Sequence, residues 1–223
     1  MAHEINNPIN GIINYAQLLL IEAGREGQQS EIAERIMKEG NRIASIVKSL
    51  LSFARDRKED KRSAAPGTVL RDALSLTEAQ LHKNGIFVNV DMPPDLTEIY
   101  VNVQQILQVF LNVINNARYA LNERYPGADD NKVLDILGKK IVSEGVSFVR
   151  FAFTDRGTGI PSALITRIMN PFFTTKPPGV GTGLGLSISH GIITDHGGRM
   201  NIESIEGEFT RVLIDLPVSE ESA

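Results

Sequence analysis

The sequence predicts an α+β protein: an N-terminal helical hairpin that dimerises into a four-helix bundle, then a two-layer α/β sandwich with a mixed, antiparallel-rich sheet. Three observations predict it. Apolar residues between positions 3 and 54 recur at helical spacing around one glycine-bearing break. The run from Arg55 to Pro66 is charged and ends in proline, which makes it the best domain boundary in the chain. Beyond it, helix-period and strand-period segments mix, and neighbouring strands are mostly joined by tight turns, which disfavours a doubly wound fold.

In the first segment Ile5, Ile9, Ile12, Ala16 and Leu19 are spaced by 4, 3, 4 and 3, a coiled-coil-like seam. Gly24 and Gly27, with polar neighbours, suit a helix–helix loop. Ile32, Ile36, Ile43, Val47, Leu50 and Ala54 form the stripe of a second helix, in which Gly40 is a small gap. Ile13, Leu20, Ile46 and Leu51 widen the apolar surface beyond what two helices cover. A homodimeric four-helix bundle buries all of it. The alternative is a hairpin packed on the rest of its own chain; heptad-like spacing favours helix partners.

After the boundary the pattern predicts a helix over 68–83, strands over 86–92 and 98–102, and a helix over 103–124. Strands follow near 133–142 and 146–154. A long loop then runs from 156 to about 182, a length that marks a lid or a disordered segment. A helix over 184–195 leads to strands near 199–205 and 210–216, and the acidic tail is expected to be frayed.

Composition narrows the class. A hydrophobic share of 42% with 22% charged residues is ordinary for a globular protein. No apolar run of about 18 residues occurs, so no membrane contact is expected of this segment. Cysteine is absent, which excludes disulfides and thiolate zinc sites. A net charge of −4 argues against broad nucleic-acid binding.

Five stretches carry chemistry. In "HEINNPIN", His3 falls opposite the apolar seam, with Glu4 beside it and Asn7 one turn on, and Pro8 is expected to bend the helix just after His3. A lone exposed histidine is ordinarily a plain surface residue; the grouping makes this one a candidate. In "QQILQVFLNVINNARYAL", Ile106, Phe110, Val113 and Ala117 form the core stripe, and Asn112, Asn116 and Tyr119 cluster on one flank. Asn115 and Arg118 point elsewhere. Paired asparagines beside a core face need hydrogen bonds or an ion, and their carbonyl oxygens suit a hard cation such as Mg²⁺.

"FTDRGTGI" ends a strand in Asp155, with Gly157 and Gly159 exposing the backbone before Ile160. A carboxylate there could accept a hydrogen bond from an exocyclic amine. "NPFFTTK" places Phe172 and Phe173 in an otherwise polar loop. Finally "GVGTGLGLSIS" runs into the start of a helix, where glycines allow close approach and free N–H groups favour anions. It is neither a G-x-x-x-x-G-K-[ST] loop nor a dinucleotide fingerprint.

The order H-E-x-x-N-P, N-x-x-x-N-A, D-x-G-x-G, P-F-F-T-T-K and G-x-G-x-G-L-S-I strongly resembles the catalytic core of a sensor histidine kinase, and its "HEINNP" form looks most like the nitrogen-regulator type. The resemblance covers nearly the whole chain. It implies a dimerisation and phosphotransfer hairpin at 1–57, a linker at 58–65, and an ATP-binding domain at 66–218 of the fold shared by Hsp90, gyrase and mismatch-repair ATPases. A disordered tail at 219–223 would follow.

By that resemblance His3 is the phospho-acceptor, Glu4 orients its ring and takes its proton, and Asn7 serves dephosphorylation of a response regulator. Asn116 would ligate Mg²⁺ with Asn112 in support, and Asp155 would accept from adenine with Gly157, Gly159 and Ile160 shaping the base pocket. Gly181, Thr182, Gly183, Leu184 and Gly185 would line the phosphates, and Thr210 would sit near the base. Tyr119 stands where relatives often carry a basic residue, leaving Lys176 as the cation for phosphate; Phe209 replaces a common glycine.

The implied cofactors are ATP and Mg²⁺. The implied partners are a second copy of the chain and a response regulator receiver domain. The expected location is cytoplasmic, by itself or as part of a longer membrane-anchored sensor, because a helical pattern is already running at residue 3. The rival readings are an ATP-hydrolysing enzyme of the same fold, disfavoured because Asn112 is no general base, and a non-catalytic nucleotide-binding scaffold.

Overall fold

The computed structural model describes residues 2–23, 28–37, 39, 40, 43, 60–177 and 180–219. The chain divides into two compact units: Met1–Lys58 with Pro171–Leu184, and Glu59–Asn170 with Gly185–Ala223.

In the first unit α1 (Ala2–Ala23) is one helix through Pro8, and residues 28–37 are helical and form α2. The predicted seam is not buried uniformly. Ile9, Ala16 and Ala33 are buried, whereas Ile12, Leu18, Leu19, Ile32, Ile36 and Ile43 are exposed. Gly40, the gap in the second stripe, is buried against Ile13: a Cβ there would fall 2.6 Å from the Ile13 side chain. Among the described residues, then, one edge of the stripe is packed within the hairpin and the other apolar edge is exposed. The loop glycines Gly24 and Gly27, the side chain of Ile5, and Val47, Leu50 and Ala54 lie outside the described residues.

The second unit is a sandwich. Its elements are β1 (Arg62–Ala64), α3 (Pro66–Lys83), β2 (Phe87–Asp91), β3 (Ile99–Val101), α4 (Val103–Arg124), β4 (Val133–Ser143), β5 (Val146–Asp155), α5 (Ser162–Ile165), α6 (Gly185–Asp195), β6 (Arg199–Ile205) and β7 (Phe209–Pro217). The main sheet runs β2-β4-β5-β7-β6. Its β2–β4 pair is parallel and its other pairs are antiparallel, the mixed, antiparallel-rich sheet that the turn spacing predicts.

β1 is a departure. It lies inside the stretch read as linker and pairs antiparallel with β3, Arg62 opposite Val101 and Ala64 opposite Ile99. Its residues carry no apolar alternation, so nothing in their period marks a strand; the backbone of β3 recruits them.

The core forms between the helices and one face of the sheet. Ile106, Phe110, Val113 and Ala117 of α4 are all buried, as the helical stripe requires. Phe110 meets Phe151 and Phe153 of β5 with ring centroids 4.8 and 5.3 Å away. Strand alternation puts Phe151, Phe153 and Asp155 on this same face. Asn102 caps α4, its side-chain oxygen accepting the Gln105 N–H at 3.1 Å, an arrangement that contributes about 1 kcal/mol.

Candidate functional site

Asp155 is the last residue of β5, so the alternation that sends the phenylalanines inward also sends a carboxylate inward, at the open end of the core. It is 5% exposed and accepts the Gly157 N–H at 2.9 Å. Burial pushes its pKa up to about 7, against the smaller opposing effect of the Gly157 bond. A carboxylate held at that cost, with acceptor capacity to spare, suits a ligand that brings a hydrogen-bond donor.

The sheet register completes this end. Asp155 stands directly opposite Thr210 of β7, so both side chains share a face. Ser204 of β6, opposite Thr210 in turn, ties the loop down. Its Oγ accepts the Ile160 N–H at 2.8 Å, donates to the Phe209 carbonyl at 2.6 Å and lies 3.1 Å from Thr210 Oγ1. Gly159 has φ +64° and sits on the Ile205 carbonyl, where a Cβ would collide; only glycine allows this approach. Arg124 Nη1 adds a clamp on the carbonyls of Arg156, Gly157 and Glu208 at 3.0–3.1 Å.

The other end lies where α4 packs on α6. Asn112 Nδ2 donates to Ser189 Oγ at 2.9 Å, and a Cβ on Gly185, the first residue of α6, would collide with Asn112 Oδ1. Asn116 follows one turn along the same flank of α4, with Tyr119 beyond it. Asn115 and Arg118 do point elsewhere: Asn115 bonds to the Leu111 carbonyl, and Arg118 donates to Asn84 Oδ1.

Of the predicted residues, the structure brings Asp155, Gly157, Gly159, Ile160 and Thr210 together, and joins Asn112 to the start of α6 at Gly185. Lys176, Gly181, Thr182, Gly183 and Leu184 belong to the segment in the hairpin unit. There the Lys176 N–H donates to Thr174 Oγ1 at 3.1 Å and Gly183 adopts φ +70°. His3, Glu4 and Asn7 lie on α1, and their side chains fall outside the described residues.

Ser189, Ser204 and Arg124 are the residues that sequence reading missed. Ser204 was signalled by a polar residue ending the Met200–Ile202 stripe of β6; Arg124 had no such signal.

A hollow of about 520 Å³ lies elsewhere, on the uncovered face of the sheet, lined by Asp135, Lys139, Arg150, Thr154, Glu203 and Arg211. Register places these side chains on the face opposite Asp155, and both of its arginines are held by carboxylates. Arg150 grips Asp215 with two 2.7 Å bonds, and Arg211 pairs with Glu203 at 3.4 Å. Size alone does not outweigh the buried carboxylate.

A buried carboxylate beside a glycine turn, with paired asparagines on the facing helix, defines a class on this sandwich, and comparison with known proteins agrees. Residues 101–220 match the family described as histidine kinase-, DNA gyrase B-, and HSP90-like ATPase, and residues 1–59 match the His kinase A (phospho-acceptor) domain. The chain belongs to this ATPase family, in the form of a histidine kinase catalytic core.

Similar curated proteins include the sensor histidine kinase ZraS of Escherichia coli O157:H7, 29% identical over 98% of this chain and 45% of its own length. The sensory histidine kinase/phosphatase NtrB of Rhizobium meliloti (strain 1021) is 32% identical over 96% of this chain and 56% of its own. The chain thus spans about half the length of these relatives. Among solved structures, full-length ShkA in complex with AMPPNP superposes with a TM-score of 0.66 at 22% identity, over 98% of this chain and 45% of that one, a likeness of fold. No described helix is long and apolar enough to cross a membrane.

Proposed function

We propose that the chain is the kinase core of a two-component sensor: it binds ATP, transfers the γ-phosphoryl group to His3, and passes it to an aspartate of a response regulator receiver domain. The observation that carries the reading is Asp155, buried at the end of a core strand with a pKa pushed up to about 7 and acceptor capacity free for the adenine amine. The Gly157–Ile160 turn, pinned by Ser204 and Arg124, frames the base beside Thr210.

The asparagines fit a cation that arrives with its triphosphate. Asn112 and Asn116 offer neutral oxygens, and among the described residues no group of three or more His, Asp or Glu could hold a metal unaided. Mg²⁺ bound there supplies charge neutralisation to the phosphates. Gly185 lets the start of α6 approach Asn112 with no Cβ in the way. A ring nitrogen of His3 then forms the N–P bond as the bond from phosphorus to the β–γ bridging oxygen breaks. ADP leaves, and Glu4 takes the ring proton.

The exposed edge of the hairpin supports a homodimer, since Ile12, Leu19, Ile32 and Ile36 would close a four-helix bundle. The kinase/phosphatase name of the Rhizobium relative supports a second, dephosphorylating activity through Asn7. Hydrolysis as the main reaction is disfavoured because the amide of Asn112 cannot accept a proton from water.

Asp155→Asn tests the site. Calorimetry should find ATP binding lost, while unchanged affinity contradicts the adenine role. The empty protein should change the opposite way. A carboxyl raised from 3.8 to about 7 favours the fold fully below the lower value, and that contribution is lost as pH rises through about 7. The Asn variant should therefore melt higher than the parent at pH 8, with the gain vanishing near pH 4.

A further inference from the structure

Ser189 occupies a core position. With Ile192 and Ile193 it makes up the buried face of α6, and it is 2% exposed. A hydroxyl there costs free energy unless it is paired. Its partner is the Asn112 side-chain amide, whose Nδ2–H it accepts at 2.9 Å.

In the structure that bond presents the nitrogen end of the amide to Ser189. An asparagine side chain presents two donors at one end and a carbonyl oxygen at the other, so engaging the nitrogen turns the oxygen away. Here Asn112 Oδ1 is directed at Gly185, so closely that a Cβ on Gly185 would collide with it. Rotated by half a turn, Asn112 would present N–H groups toward Gly185. It would then serve phosphate oxygens rather than a cation.

We infer that Ser189 is a positioning residue that holds the Asn112 amide with its oxygen toward the start of α6, as a ligand for a divalent cation carried by a triphosphate. Ser189 touches neither the nucleotide nor the cation. The inference rests on the nucleotide reading of this site.

The test compares ATP affinity in Mg²⁺ with affinity in EDTA, by calorimetry on the whole chain. Ser189→Ala keeps the helix but removes the acceptor. Affinity in Mg²⁺ should fall about tenfold, the scale of losing a group that orients a metal ligand, while affinity in EDTA stays within about twofold. Ser189→Thr, which keeps the oxygen, should restore the Mg²⁺ dependence. Equal losses in both conditions mean that Ser189 only packs, and an unchanged Mg²⁺ affinity means that it orients nothing; either overturns the inference.

A second measurement stands apart from nucleotide. In the nucleotide-free protein the Asn112 side-chain NH₂ signal should be protected from solvent exchange and lose that protection in Ser189→Ala. Equal exchange in both proteins overturns the inference. A parent chain that binds no ATP in either condition overturns the reading of the site instead, with the orientation still tested by the NH₂ signal.

Discussion

Helices α1 and α4 are each 22 residues long and both carry an apolar stripe, yet they are completed differently. On α4 eight residues are buried, and Ile106, Val109, Phe110 and Ile114 are wholly inaccessible. On α1, of the side chains described, Ile9 and Ala16 are buried while Ile12, Tyr15, Leu18, Leu19 and Ile21 are more than half exposed. The α4 stripe faces a sheet supplied by its own unit. Among the described residues the α1 stripe is left with a broad exposed edge.

The difference also sorts the chemistry. Asn112 and Asn116, the proposed cation ligands, sit on the helix with a finished core, where Ser189 holds Asn112. His3, the proposed nucleophile, sits on α1.

The largest effect expected from this contrast is at Phe110. Phe110→Ala empties a fully buried site between Phe151 and Phe153 and should cost about 3–5 kcal/mol at any protein concentration in urea unfolding. A cost below about 1 kcal/mol would undo the claim that α4 is the finished helix.

Leu19→Asp comes next. Leu19 is 53% exposed, so the substitution should leave ATP affinity within about twofold while converting a dimer to a monomer in sedimentation velocity. A parent chain that sediments as a monomer at micromolar concentration would break the comparison.

The smallest effect concerns how α4 is anchored. Buried His196 accepts the Asn102 N–H at Nε2 (3.0 Å), and its Nδ1–H donates to the Ile192 carbonyl at 2.7 Å, so the ring must be neutral. Burial lowers its pKa, with the Lys61 charge adding to the lowering and the Ile192 bond and Asp195 opposing it. A lowered pKa gives stability that is present above 6.5 and lost as pH falls. The melting temperature should therefore drop by a few degrees between pH 6.5 and 5, and His196→Gln should flatten that limb. An identical acid limb in the variant would assign the loss to other groups.

The bounds of α4 were legible to the residue, because its apolar stripe is long and regular, whereas its cap, Asn102, reads as the end of the preceding strand. The strands of the main sheet were legible from alternation. The site was legible only in pieces. Asp155 and Thr210 are far apart in sequence, and only the β5–β7 register sets them face to face. Ser189 reads as one more small residue in a glycine-rich stretch until α6 is laid on α4. β1 was hidden because its pairing is imposed by β3 and not by its own pattern.

Transfer from ATP to His3 can be read by incubating the chain with γ-labelled ATP and Mg²⁺. The expected result is a label on the protein that is acid-labile and base-stable, absent in both His3→Gln and Asp155→Asn. A label that survives His3→Gln, or steady release of phosphate from a chain that never becomes labelled, would contradict it.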